Sequence, residues 1–148
     1  MASFSYKNIV RRYPWTTLTC VAIWVLSLAP IGDMELPVEG LSLSDKGAHF
    51  IMYGFLAMVV WCERVRQMCH DGLSAAGLCG LMRRLVWPHL AWTFVAPVAM
   101  SGVLELMQNY CTTYRSGEWL DFAANTIGAC SGNVVALLAT LLLPRKRQ

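Results

Sequence analysis

The amino-acid sequence predicts an all-α protein, a four-helix transmembrane bundle with both termini on the cytoplasmic side. Three observations predict it. First, four windows carry no charged residue: Tyr13 to Gly32, Gly47 to Cys62, Leu85 to Leu104 and Phe122 to Pro144, of 20, 16, 20 and 23 residues. A helix rises about 1.5 Å per residue, so about 20 residues cross roughly 30 Å of hydrocarbon. Second, the chain is 56% hydrophobic and only 14% charged, where a soluble protein carries about a quarter charged residues. Third, the basic residues fall on alternate connections. Lys7, Arg11, Arg12, Arg64, Arg66, Arg83, Arg84, Arg145, Lys146 and Arg147 lie on one side, against only Lys46 and Arg115 on the other. Basic residues beside a span resist translocation, which puts the larger set and both termini inside.

These observations describe a single membrane domain over residues 1–148, with spans at about 13–32, 46–62, 86–110 and 121–143. The net charge of +3 is held in blocks beside the apolar windows, so it does not read as a nucleic-acid surface.

The first span follows Arg11 and Arg12 as a signal peptide would. Its apolar run is long for a signal, and Leu28-Ala29-Pro30 is a poor cleavage site, so it reads as a retained anchor. The outer loop from Asp33 to Asp45 holds Pro37 and Gly40, with Ser42 or Ser44 placed to cap the second helix. The second span is short by a turn, which leaves Asp45 and Lys46 at or just inside the interface. In the inner connection, Gly72 to Met82 is apolar but too short to cross, so an interfacial helix is expected between spans two and three. Pro97 removes a backbone donor inside the third span and should kink it. A short polar loop follows, from Cys111 to Leu120. In the fourth span Ala124, Gly128 and Gly132 recur every four residues, a stripe on which another helix can approach closely. Packing within the chain is the first reading of that stripe, and a homodimer seam the second. Trp15, Trp61, Trp87 and Trp119 sit near span ends as interface anchors. The six cysteines form no C-x-x-C pair, and Cys111 near the outer face has no assigned role. Neither a disulfide, a metal site nor a cofactor is expected.

Polar residues gather at the outer ends of three spans. Asp45, His49 and Tyr53 share one face of the second, with Lys46 beside them. Glu105 and Gln108 share a face of the third, with Asn109 adjacent, and Asp121 and Asn125 open the fourth. Arg115 lies in the loop between. Ionisable groups in a span are costly unless they face each other or water, so such a set marks a site.

The segments Asp45-Lys46-x-x-His49-x-x-x-Tyr53, Glu105-x-x-Gln108 and Arg115 through Asp121, Asn125, Gly128 and Gly132 resemble the signature of the VanZ-like family. That family comprises small bacterial membrane proteins and is named for one linked to resistance against the glycopeptide teicoplanin. The resemblance covers roughly residues 45–132 and implies the bacterial plasma membrane, the topology and the outward polar site.

Three functions follow as expectations. The first is binding of an amphiphile, a membrane lipid or a lipid-linked envelope intermediate. Arg115 and Lys46 would hold anionic oxygens, while Asp45, Glu105, Gln108, Asp121 and Asn125 orient those cations and accept from sugar or amide donors. The second is an enzyme on such a headgroup, with His49, Glu105 and Asp121 as candidate acid–base groups. It ranks below binding, because the outer face offers one histidine and no activated nucleophile. The third is a small transporter acting as an oligomer, ranked last because no charged residue lies deep in the inner half of a predicted span. A structural role beside an envelope protein partner remains open.

Overall fold

The computed structural model describes residues 10–29, 45–70, 89–111 and 118–142. Four α-helices carry these residues: α1 (Pro14–Leu28), α2 (Asp45–His70), α3 (Ala96–Cys111) and α4 (Trp119–Leu142). A π-helical stretch, Ala91–Val95, leads into α3. All regular structure among the described residues is helical, as the sequence predicts. The expected interfacial helix around residues 72–82, the capping serines Ser42 and Ser44, Trp87 and Arg115 lie outside the described residues.

Helix directions follow from which residues meet. Glu63 reaches the backbone of Trp15 and Thr16, and Gln67 pairs with Arg12, so α1 and α2 are antiparallel. His49 meets Asn125 and Trp61 meets Thr140, a nearly constant offset that makes α2 and α4 parallel. Asn125 meets Ser101 while Asn133 meets Thr93, so the third segment runs against α4. The chain therefore goes up, down, up, down.

Two helical segments, Lys46–Met68 and Trp119–Thr140, are long and apolar enough to cross a membrane. Pro14–Leu28 is apolar but shorter. The third segment is divided by its π turn, and the division has a cause. Pro97 has no N–H to offer the carbonyl of Thr93 one turn back, and its ring crowds that carbonyl. The wide turn relieves the crowding. The freed Thr93 oxygen instead accepts from Asn133 Nδ2 on α4, at 2.9 Å. The expected kink is thus a π turn stitched to a neighbouring helix.

α1 starts at Pro14, whose fixed φ suits the first helical position. Tyr13 supplies no side-chain cap. The cap comes from another helix: Glu63 Oε1 and Oε2 accept from Trp15 N and Thr16 N at 3.1 and 2.9 Å. The other end of α1 stops at Ala29, which is extended (φ −71, ψ 142) because Pro30 follows it. α2 runs 26 residues, well past the uncharged window. Glu63 and Arg64 therefore lie on a helix within the bundle, and Glu63 is only 4% exposed.

Gly54, Gly128 and Gly132 form the closest seam. A Cβ on Gly128 would overlap the Phe50 carbonyl, and one on Gly132 the carbonyl of Gly54. The small-residue stripe of α4 is therefore covered by α2 of the same chain. Around this seam the core collects Ile23, Tyr53, Leu56, Ala57, Val60, Leu104 and Ala129.

Polarity is inverted relative to a soluble protein. Among the described residues ten polar side chains are buried, including His49, His89, Gln108, Asp121, Asn125 and Asn133, against nine apolar ones. Meanwhile 22 large apolar side chains point outward, among them Val21, Phe55, Trp92, Leu106, Val135 and Leu138. A soluble monomer rarely exposes so much apolar surface; hydrocarbon is the solvent that suits it. Trp15 and Trp119 fit the anchor reading, being largely exposed. Trp61 does not: it is buried, and its indole donates to Thr140 Oγ1 at 3.0 Å.

Candidate functional site

One end of the bundle brings together the start of α2, the end of α3 and the start of α4. His49 lies one turn into α2 and is buried. Its Nδ1 is 3.1 Å from Asn125 Oδ1, and its Nε2 is 3.9 Å from Asp121 Oδ2. Asn125 organises the centre. Its Nδ2 donates to Ser101 Oγ at 2.7 Å and to Glu105 Oε1 at 3.3 Å. With the amide nitrogen so engaged, Oδ1 must face His49 and take a proton from it. The network therefore makes Nδ1 the donor to Asn125 and turns Nε2 toward the Asp121 carboxylate.

The rim is ionic. Lys46 Nζ lies 3.1 Å from Glu118 Oε2 and 3.4 Å from Asp121 Oδ1. Lys46 and Glu118 are about half exposed, whereas Asp121 is buried. Glu118 immediately precedes α4, and its N–H donates to Glu105 Oε2 at 3.2 Å. Glu105 and Asp121 thus both sit at the amino end of α4, where the orphan N–H groups and the helix dipole favour negative charge. This explains how two carboxylates coexist beside one amide.

The nine binding residues expected from the sequence divide as follows. Lys46, His49, Glu105, Asp121 and Asn125 form one connected set. The Tyr53 hydroxyl is buried beside Ser101 and near Glu105. Gln108 is buried, and its Nε2 donates to Ser27 O at 2.8 Å, tying α3 to the end of α1. Asp45 opens α2, but its side chain is outside the described residues, as is Arg115. Of the packing residues, Gly128 and Gly132 meet α2 and Ala124 is half-buried one turn earlier.

Sequence reasoning missed Ser101, which is fully buried at the centre of the set. It precedes Glu105 by four residues and so shares its face, which was the available signal. Glu118, in the loop just before α4, is a partner of Lys46 that the sequence did not assign. No group of three or more His, Cys, Asp or Glu among the described residues is arranged to hold a metal ion.

Comparison with known proteins adds one match. The family model described as VanZ/LLP1 matches residues 5–141, nearly the whole chain. Neither the curated proteins nor the solved structures give a match.

Proposed function

Because this chain belongs to the VanZ/LLP1 family, we propose that it is a four-span protein of the bacterial plasma membrane, with both termini cytoplasmic, that binds the headgroup of an amphiphile at its outer face. The observation that carries this reading is the buried polar set on α2, α3 and α4 inside a molecule whose large apolar side chains point outward. Hydrocarbon cannot satisfy such groups, so they serve each other or a ligand. The ten-to-two division of basic residues supports the orientation.

The geometry favours a headgroup rich in donors. Lys46 is already matched by Glu118 and Asp121, so an anion arriving there would have to displace a carboxylate. Glu105, Asp121 and the Tyr53 hydroxyl instead offer acceptor oxygens to sugar hydroxyls, amides or amines. Arg115 is the residue we assign to a phosphate or carboxylate on the same ligand, from its place in the sequence alone. Lipid-linked envelope intermediates combine these features, and sequestering or presenting one is a route by which such a protein would influence glycopeptide sensitivity.

The His49–Asp121 approach favours a second reading, acid–base catalysis on the bound headgroup, since an imidazole beside a carboxylate is a common acid–base pair. Transport by an oligomer has no comparable support, because the glycine stripe is covered by α2.

The test is native mass spectrometry of the protein released from its own membrane. A co-purifying amphiphile is expected on the wild type and absent from Asn125→Leu. The same adduct on both, or none on either, would remove the binding reading. His49→Asn keeps a hydrogen bond but carries no titratable proton. A binder tolerates it, whereas an acid–base enzyme loses its turnover.

A further inference from the structure

A second group of polar side chains meets at the far end of the bundle with hydrogen-bonding atoms left over. His89 is 5% exposed, and neither ring nitrogen has a partner. Arg64 Nε and Asn133 Oδ1 are likewise buried and unpartnered. They are linked through shared neighbours, with Asn133 about one turn nearer the first cluster than His89. The Trp61 indole packs edge-on against the His89 ring, with centroids 4.2 Å apart. Arg64 follows Trp61 by less than a turn and lies near His89. Asn133 Nδ2 bonds the Thr93 carbonyl, and the Thr93 hydroxyl bonds the carbonyl of His89. Other polar groups in this layer are satisfied: Trp61 Nε1 by Thr140, Thr140 by the Ala136 carbonyl. The Thr16 hydroxyl, beside Glu63 at this same end, is also buried without a partner. Trp61 is twelve residues beyond His49 on α2, about 18 Å along the axis, so the group is separate from the first.

The unpaired atoms define what would fit. Arg64 Nε is a donor, Asn133 Oδ1 an acceptor, and a neutral imidazole offers one of each. A bare anion answers only the donors and a bare cation only the acceptors. A group that carries acceptor oxygens beside an N–H or O–H donor answers all of them.

We propose that Arg64, His89 and Asn133 form a second binding site, for a phospholipid headgroup of the phosphoethanolamine or phosphoglycerol type. Phosphate oxygens accept from Arg64 Nε and a His89 N–H, and the ammonium or hydroxyl of the headgroup donates to Asn133 Oδ1. Trp61 forms one wall. The site is independent of whatever the first cluster binds. Water-soluble phosphoethanolamine has the same chemistry, so the test must separate it from the lipid.

The experiment uses the full chain, purified and stripped of lipid in detergent. Its unfolding midpoint and its lipid adducts are followed with phosphatidylethanolamine, phosphatidylglycerol, phosphatidylcholine and free phosphoethanolamine. Phosphatidylcholine has the phosphate, but its nitrogen carries no hydrogen. Phosphatidylethanolamine or phosphatidylglycerol is expected to raise the midpoint and to bind about tenfold more tightly than phosphatidylcholine, the size of one lost hydrogen bond to a charged partner. His89→Phe keeps the aromatic contact with Trp61. It should abolish the lipid-dependent rise and leave the lipid-free midpoint unchanged or higher, because an unpaired imidazole is gone. Equal binding of phosphatidylcholine, or full binding by His89→Phe, would overturn the proposal. A full effect from free phosphoethanolamine would overturn the lipid assignment. Should His89→Phe lower the lipid-free midpoint, Arg64→Met decides by the same readout: loss of the rise supports the site, and its retention refutes it.

Discussion

Pro97, Thr93 and Asn133 make a prediction that can be worked from the structure. Proline withdraws the donor that would serve the Thr93 carbonyl, and Asn133 replaces it across the helix interface at 2.9 Å. The two residues should therefore be thermodynamically coupled. In the wild type, Asn133→Leu strands a fully buried carbonyl. Leaving a buried acceptor unpaired costs about 1–3 kcal/mol, while interhelical hydrogen bonds in membranes average roughly 0.6 and reach about 1.7 kcal/mol. A cost near 1 kcal/mol is expected. Pro97→Ala restores an N–H one turn beyond Thr93 and removes the ring that crowds its carbonyl, so the π turn can relax to α. Alone it should change stability little, because the carbonyl is already satisfied. In the double variant the new N–H takes over from Asn133, so Asn133→Leu should cost almost nothing. The coupling energy would then be about 1 kcal/mol, well above the roughly 0.3–0.5 kcal/mol within which independent sites add. The assay is reversible unfolding of the lipid-free protein in mixed micelles for all four members of the cycle. If Asn133→Leu costs the same in both backgrounds, Asn133 is not the substitute donor and the explanation of the π turn fails.

Two further substitutions test how the helices are held. Gly132→Leu places side-chain atoms where the Gly54 carbonyl lies, so α2 and α4 must part. Overpacking of this kind costs roughly 1–3 kcal/mol or more, and the variant should unfold far more readily than Ile127→Ala on the exposed face of α4; comparable stability of the two would contradict the seam. Glu63→Gln leaves one acceptor oxygen for two N–H groups and turns an NH2 toward the other. Hydrogen bonds to a charged group are worth about 1.5–3 kcal/mol, so a loss of about 2 kcal/mol is expected by the same unfolding assay. A change within about 0.5 kcal/mol, the range of an ordinary surface substitution, would mean that Glu63 does not hold α1.

The residues explain what could be read in advance. Helical content and the first polar set were visible because charge is absent for long runs and because His49, Tyr53, Glu105, Asp121 and Asn125 recur at helical spacing. The end of α2 was harder to read. Glu63 and Arg64 look like loop charges beside an apolar window, yet Glu63 is buried because its carboxylate meets another helix's amino terminus. Nothing in local sequence announces a cap supplied from 48 residues away. Trp61 was misjudged for a related reason: position near a span end suggests an anchor, but the direction of the side chain is set by the helix that packs there. The second cluster was legible only in part. Asn125 and Asn133 are eight residues apart on one face of α4, and His89 precedes Thr93 by one turn, but their meeting depends on the π turn, which sequence shows only as a proline.

The most direct test of the account is cysteine accessibility in intact cells, in a background without the native cysteines. Lys46→Cys sits at the rim of the first cluster and Arg66→Cys at the opposite end of α2. An impermeant thiol reagent is expected to label the first from outside and not the second, and the co-purified amphiphile to slow labelling at Lys46→Cys. Labelling of Arg66→Cys alone, or labelling of Lys46→Cys that the amphiphile leaves unchanged, would contradict an outward-facing headgroup site.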